Sequence, residues 1–392
     1  MEGKKVLILA HKPPYPKVDG GCIAIAQLLE VYLEAGAKVH FIGMETQKHP
    51  SKNPLKHPHL NYKTIAINSE ATKWGALKSL TSNDSYFLAR FKQVDFDNEL
   101  IHTLQNNDFD IVIFESLFTS LYLNTVRNYS NAKTIYRSHN IEHAIWEMQE
   151  KSEKNILKKA YLKLQIKRLK KEELDFWKKV YTVVSISEID TKYIKKNTTN
   201  SIETIGLYCV ESQLIQADQN QNIDFFHLGA MDWQPNQQAI TWLLENVWGS
   251  FHQKNTKTEL HIAGRGMSDE LINTKLPGLK NHQEVTDAAM FLQKHKVMLV
   301  PLFSGSGIRV KIIEGMAMGK CIITTSLGCQ GINVNHLENI LIANTKEEFI
   351  EQMEFCINKP TKVAQIGENA KKFAILNFSK SDVIKQLKSL FR

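Results

Sequence analysis

The sequence predicts an α/β protein with two Rossmann-like, doubly wound domains. Apolar runs of strand length alternate with helical patterns, which is typical of a parallel sheet covered by helices on both faces. This alternation occurs twice, on either side of a polar stretch at residues 211–222. The 392 residues also exceed one ordinary core and fit two domains of roughly 150 to 200 residues.

In the first half, five apolar runs bounded by polar or turn residues predict strands. They are KVLILA at 5–10, KVHFIG at 38–43, DIVIFES at 110–116, KTIYRSH at 133–139 and VYTVVSIS at 180–187. Helical patterns lie between them, and the first covers residues 23–35 and is ended by Gly36.

The second half repeats the pattern. Its strand-like runs are FFHLGA at 225–230, ELHIAG at 259–264, VMLVPL at 297–302, CIITTS at 321–326 and ILIAN at 340–344. We predict a first domain over residues 1–205 and a second over 206–375, joined near 205–222. Because parallel sheets bind ligands at the carboxyl ends of their strands, we expect a catalytic cleft between the domains.

The composition excludes several classes of protein. Hydrophobic residues at 43% and charged residues at 23% are ordinary for a globular protein, and no apolar stretch approaches the ~20 residues that span a bilayer. The first apolar run is too short for the core of a signal peptide. The cysteines are odd in number and form no C-x-x-C pair. They predict neither a disulfide framework nor a zinc site, and they fit a cytoplasmic protein.

The positive charge concentrates in residues 151–179. This segment has eleven Lys or Arg against four acidic residues, so it holds +7 of a net charge of +8. Its apolar residues recur near helical spacing, which predicts a long basic amphipathic helix. A solvated helix packed on its own domain and peripheral contact with the inner face of an anionic membrane both fit. No reader motif accompanies the charge, so we expect no nucleic-acid partner.

The stretch VPLFSGSGIRVKIIEGMAMGK at 300–320 predicts an anion site. A strand is followed by a short loop of alternating small residues and then by a helix that ends at Gly319. Loop glycines let backbone amides approach a ligand, and the first turn of a helix favours a negative charge. The predicted phosphate cradle consists of Ser304, Gly305, Ser306 and Gly307.

Two charged residues follow the cradle on the same helical face. Lys311 is suited to neutralise phosphate, and Glu314, one turn further, to accept hydrogen bonds from the vicinal hydroxyls of a ribose. On a regular helix Arg309 lies about 200° from Lys311, so only one of the two cations faces the ligand squarely. The order of residues predicts a nucleoside diphosphate. A Walker P-loop does not fit, because GMAMGKC is one residue short and ends in Cys321 instead of a hydroxyl.

The residues resemble a known family. FHLGAMDWQPNQQAITWL, LHIAGRG and PLFSGSGIRVKIIEGMAMGKCIITTSLGCQGI in the second half, with DGG at 19–21 and RSHNIEH at 137–143, resemble the group 1 glycosyl transferases. These are retaining, family-4-type enzymes with the GT-B fold. The resemblance covers nearly the whole chain and implies that a closing helix, here residues 376–392, returns to the first domain.

The resemblance implies roles for particular residues. Gly20 and Gly21 match the paired glycines that approach the donor diphosphate and the acceptor, and His139 matches a histidine near the transferred sugar. Glu314 matches the glutamate that binds the ribose, in agreement with the physical argument. We therefore predict His139, Lys311 and Gly21 as catalytic residues. The donor is expected to be a UDP- or GDP-linked sugar, which is a substrate and not a cofactor.

The sequence departs from the family at three places. The first of two glutamates eight positions apart is replaced by Ser306, and GAMDWQPN lacks the usual cations after the first strand of the second domain. We therefore expect Lys311, helped by Arg309, to stabilise the leaving diphosphate. The segment KNHQEVTDAAMFL also lacks a glycine before the base-contacting segment, and His282 lies nearby. The sequence therefore does not determine which nucleotide base is bound.

No metal is expected in the reaction. The D-x-D pairs Asp95/Asp97 and Asp108/Asp110 lie on a predicted helix surface and before a strand, which are not the ends where parallel sheets bind ligands. If the reaction inverts the anomeric carbon, a base is needed, and His11 and then Asp19 are the candidates. A glycan or lipid-linked acceptor in cell-envelope synthesis is expected. A sugar-nucleotide epimerase and a non-catalytic sugar-nucleotide binder are the alternatives.

Overall fold

A computed structural model describes residues 1–52, 54–209, 223–305 and 307–390. The chain divides into two compact units. The first unit contains Met1–Leu207 and Ser381–Arg392, and the second contains Tyr208–Lys380. The polar stretch at 211–222 and Ser306 lie outside the described residues.

The first unit contains a seven-stranded parallel sheet with the strand order β3-β2-β1-β4-β5-β6-β7. Its strands are β1 Lys5–Ala10, β2 Lys38–Glu45, β3 Leu60–Ala66, β4 Ile111–Glu115, β5 Lys133–Ser138, β6 Thr182–Ser185 and β7 Ser201–Thr204. Val6 to Ala10 of β1 are fully buried, because helices cover both faces of a sheet of this kind.

The helices of the first unit connect these strands. They are α1 Gly20–Glu34, α2 Lys73–Lys78, α3 Tyr86–Ala89, α4 Val94–Gln105, α5 Leu123–Tyr129, α6 Glu142–Ser152, α7 Ile156–Lys179 and α8 Glu188–Lys195, with 3₁₀ turns at Ser79–Thr81 and Leu117–Tyr122. The last helix, α16, spans Lys380–Ser389, and all but its first residue belong to the first unit.

The second unit contains a six-stranded parallel sheet with the order β10-β9-β8-β11-β12-β13. Its strands are β8 Phe225–Leu228, β9 Leu260–Ala263, β10 Leu279–Asn281, β11 Val297–Val300, β12 Cys321–Thr324 and β13 Leu341–Ile342. Its helices are α9 Gln234–Trp242, α10 Gly249–Lys254, α11 Asp269–Ile272, α12 Ala288–Lys294, α13 Val310–Ala317, α14 Lys346–Asn358 and α15 Pro360–Asn377, with a π-helical segment at Leu243–Trp248. Both units confirm the predicted doubly wound α/β class.

Three strands were missed by the sequence patterns. In β3 and β7, at the two edges of the first sheet, exposed and partly buried residues alternate, so neither forms an apolar run. β10, at an edge of the second sheet, is three residues long and only partly buried. Edge strands are shielded on fewer sides than central ones, so their sequences carry a weaker signal.

Two predicted helix bounds are wrong in ways that matter for function. α1 begins at Gly20 and not at residue 23, because Asp19 caps it by accepting a hydrogen bond from the Cys22 N–H. The basic helix predicted at 151–179 is two helices, because the chain leaves helical geometry at Glu153 and Asn155 caps α7.

Candidate functional site

Three adjacent strands of the first unit end in polar side chains. His11 and Lys12 follow β1, Ser116 follows β4, and His139 follows β5. Because parallel strands share one carboxyl edge, these residues meet there. The structure thus brings the predicted His139 together with His11, the candidate base of an inverting reaction, and with Lys12 and Ser116, which were not predicted.

A buried charge network surrounds His139. The Glu115 carboxylate, fully buried at the end of β4, lies 2.5 Å from His139 Nε2 and 3.2 Å from Arg137 Nη1. Arg137 Nη1 also donates to the Ala24 carbonyl oxygen at 2.9 Å. Glu115 therefore fixes the orientation of the His139 ring, while Arg137 compensates its charge.

The protonation states follow from this network. Burial raises the pKa of Glu115, but the Arg137 guanidinium and the hydrogen bond with His139 outweigh it and lower the pKa below its ordinary value. Burial lowers the pKa of His139, and its contact with Glu115 only partly opposes that shift. The arrangement favours an ionised Glu115 and a His139 ring that is neutral at pH 7.

The backbone at Ser116 is strained. Its φ of 91° and ψ of 160° lie in a region that only glycine adopts readily. The strained residue brings its hydroxyl 2.7 Å from His11 Nδ1. Burial, and then the neighbouring Lys12 and His139, lower the pKa of His11 well below 6.5. The His11 ring is therefore neutral, and its contact with the Ser116 hydroxyl holds it at the carboxyl edge of the sheet.

The N-terminus of α1 carries the predicted glycine pair. Gly20 and Gly21 are the first two residues of the helix, directly after the cap at Asp19. The Asp19 carboxylate lies 2.8 Å from Lys12 Nζ and 2.8 Å from His49 Nε2. Burial raises the pKa of Asp19, but Lys12, His49 and the helix amide together lower it far below its usual range. A Cβ on Gly21 would lie 2.5 Å from Lys12 Nζ, so a side chain here would displace the Lys12 ammonium.

Glu142 and His143 are the first two residues of α6. The buried Glu173 of α7 accepts hydrogen bonds from both backbone N–H groups at 3.0 Å, and its carboxylate lies 2.7 Å from His143 Nδ1. Burial and the nearby Glu173 raise the pKa of Glu142 to about 8. His143 is thus part of a helix cap and does not join the group around His139.

The predicted cradle of the second unit lies between β11 and α13. Gly305 and Gly307 have φ of 104° and 76°, which explains the glycines. A Cβ on Gly305 would lie 3.1 Å from the Trp233 ring. The Ser304 hydroxyl donates to Gln238 Oε1 at 2.8 Å. The fourth predicted cradle residue, Ser306, lies outside the described residues.

Lys311 points from α13 towards the end of β8. Its ammonium donates to the Leu228 carbonyl oxygen at 3.1 Å and to Asn236 Oδ1 at 2.8 Å, and lies 3.4 Å from His227 Nε2. His227 Nδ1 donates to the Leu299 carbonyl oxygen at 2.7 Å, so its Nε2 is left as a neutral acceptor. All three groups around the ammonium are therefore uncharged.

This environment weakens the hold of Lys311 on its proton. Burial, and then the nearby Arg309 guanidinium, lower the pKa of Lys311 to about 7. The carboxylate that would reverse such a shift is absent from its hydrogen-bond partners among the described residues. A bound anion would restore the charged form.

Arg309 flanks the same loop. The helix begins one residue later, at Val310, so Arg309 is its N-cap and the angle expected on a regular helix does not apply. Its Nη1 donates to the Gly307 carbonyl oxygen at 2.5 Å, and its guanidinium lies 5.9 Å from the centre of the Trp233 ring. Arg309 therefore contacts the loop directly, while Lys311 contacts the end of β8, and which of the two faces the ligand stays a prediction.

Glu314 lies on α13 one turn after Lys311 and is partly exposed between the buried Ile313 and Gly315. One continuous segment of the second unit thus contains most of the predicted donor-site residues. They are Ser304, Gly305, Gly307, Arg309, Lys311 and Glu314. Gly20, Gly21 and His139 lie at the carboxyl edge of the first unit.

Three comparisons bear on this arrangement. Residues 222–359, which include the whole loop and α13, match the family model described as Glycosyl transferases group 1. The second unit thus carries the part of the chain that matches the group 1 glycosyl transferases. A relative described as an uncharacterized 44.6 kDa protein in the cps region of Klebsiella pneumoniae is 22% identical over 396 residues, 98% of each chain.

Solved structures show the fold of this chain. Sucrose-phosphate synthase from Thermosynechococcus elongatus matches with a TM-score of 0.73 at 14% identity, over 99% of this chain and 98% of its own. HepE of Anabaena in complex with UDP-glucose matches with a TM-score of 0.67 at 12% identity, over 99% of each chain. The expected GT-B fold is confirmed.

The sequence analysis did not predict several residues of the candidate site. Glu115 belongs to the predicted strand at 110–116 without a predicted role, and Lys12 was not predicted as a site residue. Asn236 lies in GAMDWQPN, which was examined for cations and not for the neutral acceptor that binds one. A polar residue at the carboxyl end of an apolar strand, or just beyond it, was the available signal, and both Glu115 and Lys12 have it.

Other features of the chain lie away from these residues. Asp110 pairs with Lys4 at 2.7 Å before β4, and Asp97, in the first turn of α4, accepts from the Thr125 hydroxyl at 2.7 Å. A pocket of about 260 Å³ between β2, β3 and α4 is lined by none of the predicted residues. Within the described ranges, no helix combines the length and hydropathy needed to cross a bilayer.

Proposed function

We propose that the enzyme transfers a sugar from a nucleoside diphosphate donor that binds at the β11–α13 loop. The carrying observation is Lys311, a partly buried ammonium surrounded by neutral acceptors. An anionic ligand stabilises such a cation more than it would stabilise one already paired with a carboxylate. Arg309 borders the same loop, and the glycine φ values at 305 and 307 suit a backbone that approaches phosphate oxygens.

Glu314 completes the donor site in this proposal. It is placed one turn beyond Lys311 to accept hydrogen bonds from the two ribose hydroxyls. UDP is the first nucleotide to test, because HepE, which shares the fold, is described in complex with UDP-glucose. The second unit is thus the donor domain, and the first unit is the acceptor domain.

The proposed reaction retains the anomeric configuration and needs no metal. The bond between the anomeric carbon and the phosphate oxygen breaks, and its electron pair stays on the diphosphate. Lys311, Arg309 and the loop amides stabilise that charge. The acceptor oxygen bonds to the anomeric carbon, and its proton passes to the departing phosphate oxygen. In this proposal His139, held by Glu115, contacts the transferred sugar, and Gly21, at the N-terminus of α1, lets the donor and the acceptor approach the backbone.

The acceptor is proposed to be a glycan or a lipid-linked glycan of the cell envelope. The description of the Klebsiella pneumoniae relative, in the cps region, supports a polysaccharide pathway. Peripheral contact with the inner face of the membrane belongs to the same proposal. Ile156 and Leu157 in the first turn of α7 are each 82% exposed, and Trp74 of α2 is 81% exposed. Exposed apolar side chains among lysines are typical of surfaces that enter an anionic interface.

Thermal unfolding with UDP, GDP, ADP and CMP tests the donor site. A nucleotide at 100 times its Kd adds about 2.7 kcal/mol to the free energy of unfolding. We expect Lys311→Ala and Glu314→Ala to reduce this stabilisation and Asp108→Ala to leave it unchanged. If both site variants respond to every nucleotide as the parent does, the donor site lies elsewhere.

Vesicle flotation tests the membrane contact. The protein is expected to float with vesicles rich in phosphatidylglycerol and to remain unbound with phosphatidylcholine alone. Ile156→Ser with Leu157→Ser should lower the bound fraction several-fold, whereas Leu376→Ser, at a leucine that is 77% exposed on α15, should not. Equal flotation of both variants would contradict membrane contact through α7.

A further inference from the structure

Three histidines of the second unit converge on the sheet face that packs against α12. His261 lies in β9, His282 follows β10, and His295 precedes β11. One ring nitrogen from each lies within 4.8 Å of the other two. His261 Nδ1 is 2.9 Å from His282 Nε2, and the ring centres of His261 and His295 are 4.1 Å apart. The cluster shares no residue with the proposed donor site.

Two carboxylates orient two of the three histidine rings. Asp224 hydrogen-bonds to His295 Nδ1 and is itself held by the Lys296 N–H at 3.0 Å. Glu259 Oε2 lies 3.3 Å from His261 Nε2. A carboxylate on one imidazole nitrogen keeps the proton there and leaves the lone pair of the other nitrogen free. The second nitrogens are then His295 Nε2 and His261 Nδ1, and the latter lies in a 2.9 Å hydrogen bond with His282 Nε2 that a bound ion would replace.

We propose that His261, His282 and His295 bind one divalent transition-metal ion, with Asp224 and Glu259 as the carboxylates that orient the ligands. Imidazole ligands favour Zn²⁺, Cu²⁺ or Ni²⁺ over Mg²⁺ and Mn²⁺. Zn²⁺ with Zn–N distances of about 2.0–2.1 Å needs tetrahedral ligand atoms about 3.3 Å apart. The three nitrogens lie within 4.8 Å of one another and one pair is 2.9 Å apart, so each separation needs to change by about 1.5 Å at most.

The surroundings suit such a site. Phe291 lies 5.3 Å from the His282 ring and 4.7 Å from the His295 ring, and Phe226 lies 5.6 Å from His295, measured between ring centres. These rings form an apolar wall on one side. His282 is exposed, which gives the ion a route in and leaves a fourth position for water. The ion would tie β9, the end of β10 and the α12–β11 connection together, and so has a structural role.

Titration calorimetry with Zn²⁺ on the full chain, with any affinity tag removed and after chelation, tests the proposal. One equivalent is expected to bind, and Co²⁺ in its place should give the visible absorption of a tetrahedral complex. His282→Ala and His295→Ala should each weaken Zn²⁺ binding at least tenfold. His59→Ala, at an exposed histidine of the first unit, should not change it.

The outcome is decisive in both directions. The proposal is overturned if the double variant His282→Ala with His295→Ala binds Zn²⁺ as tightly as the parent. It is also overturned if binding is lost only with His49→Ala, which would move the ion to the cluster of Asp19, Cys22 and His49. Because the ion is structural, chelation should lower the melting temperature and leave sugar transfer intact below it. Loss of transfer at low temperature would instead contradict the metal-independent mechanism.

Discussion

Each unit contains a lysine whose ammonium group lies against a glycine. A Cβ on Gly21 would be 2.5 Å from Lys12 Nζ, and a Cβ on Gly229 would be 2.6 Å from Lys311 Nζ. Their partners differ. Lys12 pairs with the Asp19 carboxylate at 2.8 Å, whereas the groups that Lys311 contacts are neutral.

In the proposed function, this difference separates a structural cation, Lys12, from a ligand-binding one, Lys311. The charge of Lys12 is compensated in the folded protein, and the pair fixes the start of α1. The charge of Lys311 is not compensated by its hydrogen-bond partners, and its pKa falls to about 7. The second unit therefore favours a free anion, and the first unit offers a preorganised surface around His139.

The largest expected effect comes from removing the uncompensated charge. Lys311→Met should lower kcat/KM for sugar transfer about 10²–10³-fold, because a preorganised donor to the leaving group is lost. Lys12→Met should instead act on stability and leave nucleotide-induced stabilisation nearly unchanged. Steady-state kinetics and thermal unfolding with UDP separate the two, and equal kinetic losses would erase the proposed distinction.

The buried network at His139 comes next. Glu115→Gln leaves the buried Arg137 without a carboxylate and should cost about 3 kcal/mol in the unfolding free energy of the first unit. Transfer should fall about 10- to 100-fold because the His139 ring is no longer fixed. Denaturant unfolding and kinetics measure both. Glu368→Gln, in an exposed pair with Lys372, is the matched control and should change stability by less than about 0.5 kcal/mol.

A smaller effect is expected from the two glycines. Gly229→Ala should displace the Lys311 ammonium and weaken UDP binding about tenfold, because its Cβ would contact Nζ at 2.6 Å. Gly21→Ala should displace Lys12 and lower transfer while leaving UDP binding close to the parent value. Calorimetric titration with UDP distinguishes them, and a reversed order would contradict the roles given to the two lysines.

Much of the fold follows from sequence, and the reason is burial. The ten predicted runs all contain strands of the sheets, because strands covered on both faces are continuous apolar runs. The apolar-run pattern did not predict β3, β7 and β10, because these strands lie at sheet edges. The start of α1 was missed because Gly20 and Gly21 are poor helix formers, and Asp19 determines the start through a cap.

The candidate site was predicted where local spacing determines it. The loop after β11 with Lys311 and Glu314 lies in one continuous segment, so its pattern is visible in the sequence. The partners of Lys311, Leu228 and Asn236, are more than 70 residues away along the chain. Contacts of that kind depend on how strands are ordered in the sheet, and periodicity carries no information about them.

Proton uptake on nucleotide binding tests the central claim most directly. With a pKa of about 7, Lys311 is mostly neutral at pH 8, and a bound diphosphate raises that pKa and draws a proton from solution. The affinity for UDP should therefore fall as pH rises above 7, approaching about tenfold per pH unit. Titration calorimetry with UDP at pH 8, in two buffers of different ionisation enthalpy, should show uptake close to one proton for the parent and none for Lys311→Met. The same uptake in both proteins would contradict the assignment of Lys311 as the group that binds the diphosphate.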